Sequence, residues 1–298
     1  MKHIDKTRQQ SLQGKAILDN WVNSHQPIIN QLSTQENTRA LWRIFDKKTV
    51  IRAYLNAEQG GLCCYCGREL TQMTHYIVIE HLKLKSLKSN NTYPNMFDYD
   101  NLLCSCHGNS YGFYEVKNGD TWASIALKSE CTFSNNKVAE LKRMNPDIDV
   151  GNNEPKAGET LIVGFVSGVD KHHCDNFRGN KPLRINPIQL PNCIDRFIYT
   201  VKERHNTGGV KPHVNDIEAE EAVINLNLNA SILLRERAKI VEDAAILLEE
   251  ISITIEENRA TSRQEIIDIA HSYLSVIKGF YVVYRAYFKD DFPELFQD

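Results

Sequence analysis

The sequence predicts an α+β protein. A small cysteine-rich core of strands and one short helix is interrupted by a compact βααβ insert and enclosed between helical N- and C-terminal regions. Three observations predict this. Cysteines cluster at 63–66 and recur at 104, 106 and 174, beside the strand-like run THYIVIEH at 74–81. Between Cys106 and Cys174 the pattern changes to strand, helix, helix, strand. Both ends of the chain carry apolar residues at helical spacing, the mark of amphipathic helices.

Taken in order, residues 8–57 read as two or more helices, from LQGKAILDNWV and ALWRIFDKKTVIRAYL, and the Gly pair at 60 and 61 supplies a stop. Leu62 to Leu70 is a compact Cys-rich turn, and the β-branched and aromatic residues of 74–81 favour a strand. Residues 82–112 read as loop-rich, with Asn90, Asn91, Pro94, Gly108 and Gly112. A strand over 113–117 leads into AsnGlyAsp. Asp120 or Thr121 can cap a helix through about 129, a second helix runs to about 143, and Asn145-Pro146 breaks it before a strand near 160–164. From about 215 the pattern is helical again. Leu234, Ala238, Val241, Ala245 and Leu248 share one face, and a second apolar helix is expected over 264–288. The expected divisions are 1–59, a discontinuous core of 60–112 with 165–213, the insert 113–164, and 214–298. Paired strands bring an insert's ends together, so it fits in a loop without prising its host apart.

At 298 residues, 42% apolar and 24% charged, the composition is that of a soluble globular protein of one to three domains. The polar opening MKHIDKTRQQSLQGK and the lack of any run of about 18 apolar residues predict a cytoplasmic protein with no membrane partner. Eight cysteines suit metal binding in a reducing compartment better than a disulfide framework. The net charge of −3 is unevenly spread. Residues 1–59 and 170–213 are rich in Lys and Arg and could face phosphates, whereas 214–298 hold eight basic against seventeen acidic residues and suit a protein partner.

Cys63 and Cys66 form a C-x-x-C pair, whose spacing lets two thiolates reach one tetrahedral Zn²⁺ from a tight turn. A redox dithiol is the alternative, but no βαβ pattern surrounds the pair. A closed zinc site needs two more ligands. Cys106 and Cys174 are the candidates, with Cys104 or His173 as possible replacements, and Cys64, Cys131 and Cys193 as packing thiols. Glu80 and His81 end the strand-like run. A carboxylate there can bind a divalent metal while the imidazole serves as general base near neutral pH. Lys83 and Lys85 follow and can contact phosphate.

The order C-x-x-C, Glu80-His81, DYDNL at 98–102, Cys106 and HCDNFRGN at 173–180 resembles the HNH endonuclease family with its ββα-metal module and zinc knuckle. The resemblance implies that His81 is the general base, Glu80 a ligand of a catalytic Mg²⁺ or Mn²⁺, Asn101 the residue that orients the base, and Asp175 the second ligand. Asp stands where the family has Asn or His, and Asn176 is its rival. Arg178 matches a Lys of the family pattern and can hold a phosphate. Structural Zn²⁺ would sit on Cys63, Cys66, Cys106 and Cys174.

CCYCGREL, VIEHLKLKS, YDNLLCSC, RINPIQLPNC and INLNLN with LLRER resemble, more narrowly, the HNH subunit of Septu-type, retron-associated antiphage defence systems. That resemblance implies an ABC/SMC-like ATPase partner, a phage or host DNA or tRNA target and, in retron settings, a reverse transcriptase with its RNA-DNA. The chain has no G-x-x-x-x-G-K-[ST] of its own.

FYEVKNGDTWASIALKSE, NNKVAELKRMNPDI and AGETLIVGF resemble a LysM module. Such modules bind N-acetylglucosamine glycans in a shallow groove, which implies Gly119, Asp120, Thr121, Asn145, Pro146 and Asp147 as its walls here. A scaffold or protein-docking insert without glycan affinity is the alternative.

Overall fold

The computed structural model describes residues 1–298 apart from 33–37, 71–76, 84–94, 109–110, 134–135, 146–147, 150–152, 166–171, 203–206, 278 and 297–298. Four helices open the chain: α1 (Gln9–Ser24), α2 (Gln26–Leu32), α3 (Thr38–Ile44) and α4 (Lys48–Glu58). Helix α1 buries Ser11, Gly14, Leu18 and Trp21, a three-and-four spacing that keeps them on one face. Gly14 has to be glycine, because a Cβ there would lie 2.6 Å from the Tyr99 ring. Helix α4 buries Ile51, Leu55 and Glu58. The Glu58 carboxylate is satisfied by Lys6 Nζ, Ser11 Oγ at 2.6 Å and the Tyr99 hydroxyl at 3.2 Å, as a buried charge requires.

The chain then enters the cysteine turn, closed by a bridge between Leu62 and Glu69, with Gly67 at φ +74° donating to the Cys63 carbonyl at 3.0 Å. Strand β1 (Ile77–His81) pairs antiparallel with β2 (Leu102–Cys106), with Ile77 opposite Cys106 and His81 opposite Leu102. The loop-rich expectation for 82–112 is therefore wrong over 102–106. All five residues of β2 are buried, so the strand has no alternating polar face for a periodicity argument to detect.

The insert comprises β3 (Tyr111–Glu115), α5 (Trp122–Ala126), α6 (Lys137–Met144) and β4 (Thr160–Phe165). Its strands pair antiparallel, Tyr114 opposite Leu161. It has its own apolar core, in which Trp122, Ile125, Leu141, Met144, Leu161 and Val163 pack together apart from the main cluster. Helix α5 ends earlier than 129. Its start is set by a reciprocal Thr121–Ser124 capping box.

After the insert come α7 (Cys174–Arg178), packed on β2, a small pair of strands β5 (Phe197–Tyr199) and β6 (Val210–Pro212), and the helices α8 (Ile217–Asn225), α9 (Ser231–Glu257), α10 (Arg263–Leu274) and α11 (Tyr281–Phe288). Two expectations are corrected here. The buried seam of α9 is Leu233, Arg237, Val241, Ala244 and Ile251, about one residue out of phase with the expected face, because a buried arginine occupies a position that hydrophobicity assigns to the surface. The helix expected over 264–288 is two. The chain breaks so that the Phe280 N–H, at φ +51°, can donate to the Gly67 carbonyl at 2.8 Å, pinning the C-terminal region to the cysteine turn. Among the described residues no helix is long and apolar enough to cross a membrane.

Candidate metal centre and adjoining site

The cysteine turn, the end of β2 and the start of α7 meet at one point. Cys63, Cys66, Cys106 and Cys174 are buried, and their sulfurs all lie within 4.8 Å of one another. Cys63 Sγ is 4.0 Å from Cys174 Sγ, and Cys66 Sγ is 3.7 Å from Cys106 Sγ. Four thiolates around a tetrahedral zinc at about 2.3 Å would stand about 3.8 Å apart, so the donor set and its spacing fit that ion. Backbone bonds hold the turn: Cys63 N–H donates to the Arg68 carbonyl at 2.8 Å and Cys64 N–H to the Cys104 carbonyl at 3.1 Å. The Gln59 amide closes the remaining side of β2, donating to the Cys104 carbonyl and accepting from Cys104 N–H.

The electrostatics also favour a cation. Burial pushes the Cys174 thiol well above its usual range, and the Cys106 and Cys63 thiols add to that. Burial pushes Cys63 up as well, yet hydrogen bonds from Cys106 and Cys174 outweigh it and hold Cys63 well below that range. A divalent ion is what lets all four ionise. His173 lies against the cluster, its Nδ1 3.1 Å from Cys174 Sγ and 3.8 Å from Cys106 Sγ. Cys64, Cys104, Cys131 and Cys193 are buried packing residues.

The cluster ties β2, and through its pairing β1, to α7. Glu80, near the end of β1, is 5% exposed, and Asp175, the second residue of α7, reaches its carboxyl. Burial raises the Glu80 pKa well above the carboxylate range, and contact with Asp175 raises it further, against the pull of Arg178. Arg178 is 2% exposed. It donates to the Glu80 carboxylate, to the Tyr65 hydroxyl at 2.8 Å, and to the His81 and Leu82 carbonyls at 3.1 and 2.6 Å. The expected phosphate grip by Arg178 is therefore corrected: the guanidinium is buried and its hydrogen bonds go to Glu80, Tyr65, the Lys181 carbonyl and the backbone at the end of β1. Glu80 and Asp175 do come together as two hard oxygen donors, but Arg178 already holds the Glu80 carboxyl. For Mg²⁺ or Mn²⁺ to use both carboxylates, the guanidinium has to give way. Among the described residues no second group of three or more ligand side chains occurs.

His81 is buried, with Nε2 3.3 Å from the Met96 carbonyl and the Trp42 ring packed edge-on at 4.8 Å between centroids. Asn101 sits across from the strand end. Its Oδ1 accepts from Lys83 N–H at 2.7 Å, its Nδ2 donates to the Lys83 carbonyl at 3.1 Å, and its own carbonyl accepts from Leu82 N–H at 3.0 Å. Asn101 thus fixes the chain immediately after His81. Lys83 is exposed and, with Asn101, lines a cleft of about 600 Å³ that also takes in Lys6, Lys15 and Gln189. Lys85 lies outside the described residues. Asn176 is exposed and hydrogen-bonds His172, whereas Asp175 faces Glu80. Tyr65 and Trp42 escaped the sequence reasoning. An aromatic inside the C-x-x-C turn was a usable signal for Tyr65; nothing local marks Trp42.

In the insert, Asn145 is 1% exposed and spends its amide on the Leu141 and Ile162 backbone, at 2.7 Å for Leu141 and 2.9 and 2.8 Å for Ile162. It is a structural clamp, which corrects its expected place on a groove wall. Asp120 accepts from the Tyr114 hydroxyl and Lys117 N–H, Thr121 caps α5, and Gly119 is exposed. Pro146 and Asp147 lie outside the described residues.

Fold and site together define a mixed α and β protein with a four-cysteine centre able to hold a metal such as zinc, interrupted by a separately cored module between the third and fourth cysteine. Residues 114–164 match the LysM domain family. No curated protein matches the chain.

Proposed function

We propose that this chain is a metal-dependent HNH-type endonuclease that hydrolyses phosphodiester bonds in nucleic acid, phage or host DNA or tRNA. Its setting is the cytoplasm, as the effector of a Septu-type, retron-associated antiphage defence system with an ABC/SMC-like ATPase as partner. One observation carries most of the weight. The strand ending in Glu80-His81 pairs with the strand ending in Cys106, and the helix opening at Cys174 shares that strand's four-cysteine cluster, so Glu80 and Asp175 meet, with His81 the next residue along the strand. This ββα arrangement is what a ββα-metal module needs.

In this reading His81 takes the proton of the attacking water, and Asn101 holds the backbone that aims it. Asp175, the less buried carboxylate, and Glu80 would hold the catalytic ion, Glu80 only with Arg178 drawn aside, and that ion would supply Lewis-acid stabilisation of the leaving oxygen. Lys83, on the open cleft, steadies the nucleic-acid backbone. The cysteine cluster keeps β1 and α7 in register and takes no part in bond breaking.

The test is nicking of plasmid DNA and cleavage of tRNA by purified protein, with Mn²⁺ and with the ATPase supplied. His81→Ala should abolish cutting while leaving zinc content and circular dichroism unchanged. Cutting by the His81→Ala protein sinks the assignment. A second reading is favoured by the LysM match, namely a non-catalytic zinc-stabilised adaptor that binds nucleic acid or, through the insert, N-acetylglucosamine glycans. Wild-type protein that retains on peptidoglycan and never nicks would establish that reading instead.

A further inference from the structure

Cys174 is held in a backbone conformation that it would not keep on its own. Its φ is +52°, in the left-handed region that L residues with a side chain rarely occupy unaided. The turn between α8 and α9 braces it. Cys174 N–H donates to the Leu226 carbonyl at 2.9 Å, and Asn227 Nδ2 donates to the His172 carbonyl at 2.8 Å. From the opposite side His173 N–H donates to the Gly108 carbonyl at 2.9 Å. The turn is in turn gripped by α9, whose Arg237, 1% exposed, donates to the Leu228 and Gly208 carbonyls. The residue before it, Glu236, takes a bidentate hold on Arg68, two residues past Cys66, with contacts of 2.7 to 3.0 Å. Adjacent residues of one helix therefore reach both halves of the cysteine cluster.

We propose that Asn227, Glu236 and Arg237 are positioning residues of the metal centre, so that zinc occupancy and the seating of α9 form one coupled equilibrium. The inference rests on zinc being the ion held by the four cysteines. With α9 seated, the 226–228 turn fixes Cys174 where its sulfur completes the tetrahedron. With zinc bound, Cys174 is pinned where it receives the turn. Linkage makes the effect reciprocal: whatever loosens α9 weakens the metal, and removing the metal loosens α9. Since α7 begins at Cys174, the same brace also sets where Asp175 stands.

The experiment uses the zinc-loaded full chain, with zinc release to an excess of chelator followed by a chromogenic dye. Asn227→Gly removes the amide while tolerating the turn's positive φ, and Arg237→Met removes both carbonyl contacts while keeping bulk. Each should release zinc about tenfold faster or more, the effect of one lost hydrogen bond to a buried or charged group. Ile251→Val, on the far half of α9, should lower the melting temperature without speeding release, which separates positioning from general loosening. In the wild type, chelation should raise amide exchange at residues 226–237. Release as slow as wild type from folded Asn227→Gly protein, or unchanged exchange after chelation, overturns the proposal; if Arg237→Met does not fold, Asn227→Gly decides alone. A wild-type chain that carries no zinc and takes none up overturns the metal reading itself.

Discussion

Replacing Arg178 by Met separates the two roles this residue could have. If it faced solvent to hold phosphate, the change would weaken nucleic-acid binding and leave stability nearly untouched. The structure predicts the reverse. The guanidinium is 2% exposed, Glu80 is 5% exposed, and the two are ion-paired with the Tyr65 hydroxyl as a shared neighbour. Removing the guanidinium leaves the Glu80 carboxyl buried without its partner, and breaking such a pair costs about 3–5 kcal/mol. The His81 and Leu82 carbonyls lose their donor as well. Urea unfolding followed by tryptophan fluorescence measures the loss, since Trp42 packs on His81, the residue after Glu80. Glu80→Gln combined with Arg178→Met should lose less than the sum of the single changes, as expected for groups in contact. The pH dependence has a definite sign. Burial and Asp175 already push the Glu80 carboxyl up, and without Arg178 it moves higher still. A group raised in the folded state contributes its stability below the unfolded value, about 4.3, and loses it as pH rises through the folded value. The deficit of Arg178→Met should therefore be smallest in acid and grow as pH rises through the folded Glu80 value. An Arg178→Met protein that unfolds at the same urea concentration as wild type at pH 7 would refute the buried-pair account and return Arg178 to the phosphate.

Cys66→Ser should lose the bound zinc, measured by metal analysis of the purified protein, and should fall in solubility at the same time; full zinc content in this variant would remove Cys66 from the centre. Gly108→Ala should do the same by another route, because the new Cβ would lie 1.6 Å from the His173 carbonyl oxygen and the residue sits at φ +75°; a soluble, zinc-replete Gly108→Ala protein would contradict the contact between β2's exit and α7. In the insert, the Lys117 N–H and Tyr114 hydroxyl hold Asp120 down to about 2 from 3.8. A depressed carboxylate stabilises above its unfolded value and loses that contribution as pH falls through the folded one. Asp120→Asn should therefore melt lower than wild type at pH 7, with the difference fading between about pH 4 and 2; a gap that persists at pH 2 would mean the carboxylate's charge is not the cause.

Several features were legible because their causes are local. The C-x-x-C spacing, the βααβ pattern between Cys106 and Cys174, and a helix cap at Asp120 or Thr121 each depend on a few neighbouring residues, and the structure picks Thr121. The LysM match over 114–164 covers nearly the stretch read as an insert. Strand β2 was missed because it is buried on both faces, and the face of α9 was misplaced because Arg237 lies in its seam. The LysM resemblance puts Asn145 on a groove wall beside Pro146, yet its amide is consumed by the module's own backbone.

By itself, the sequence determined which four sulfurs are available to one ion and where the module interrupts them. Thiol chemistry, turn residues and hydrophobic period are properties of short stretches. Only the tertiary structure decided that Arg178 bonds Glu80 rather than meeting a phosphate, that Phe280 breaks a helix to bond Gly67, and that α9 braces Cys174. Those outcomes depend on which groups are desolvated together by packing between segments far apart in the chain, and a buried charge or N–H takes whatever partner the packed interior offers.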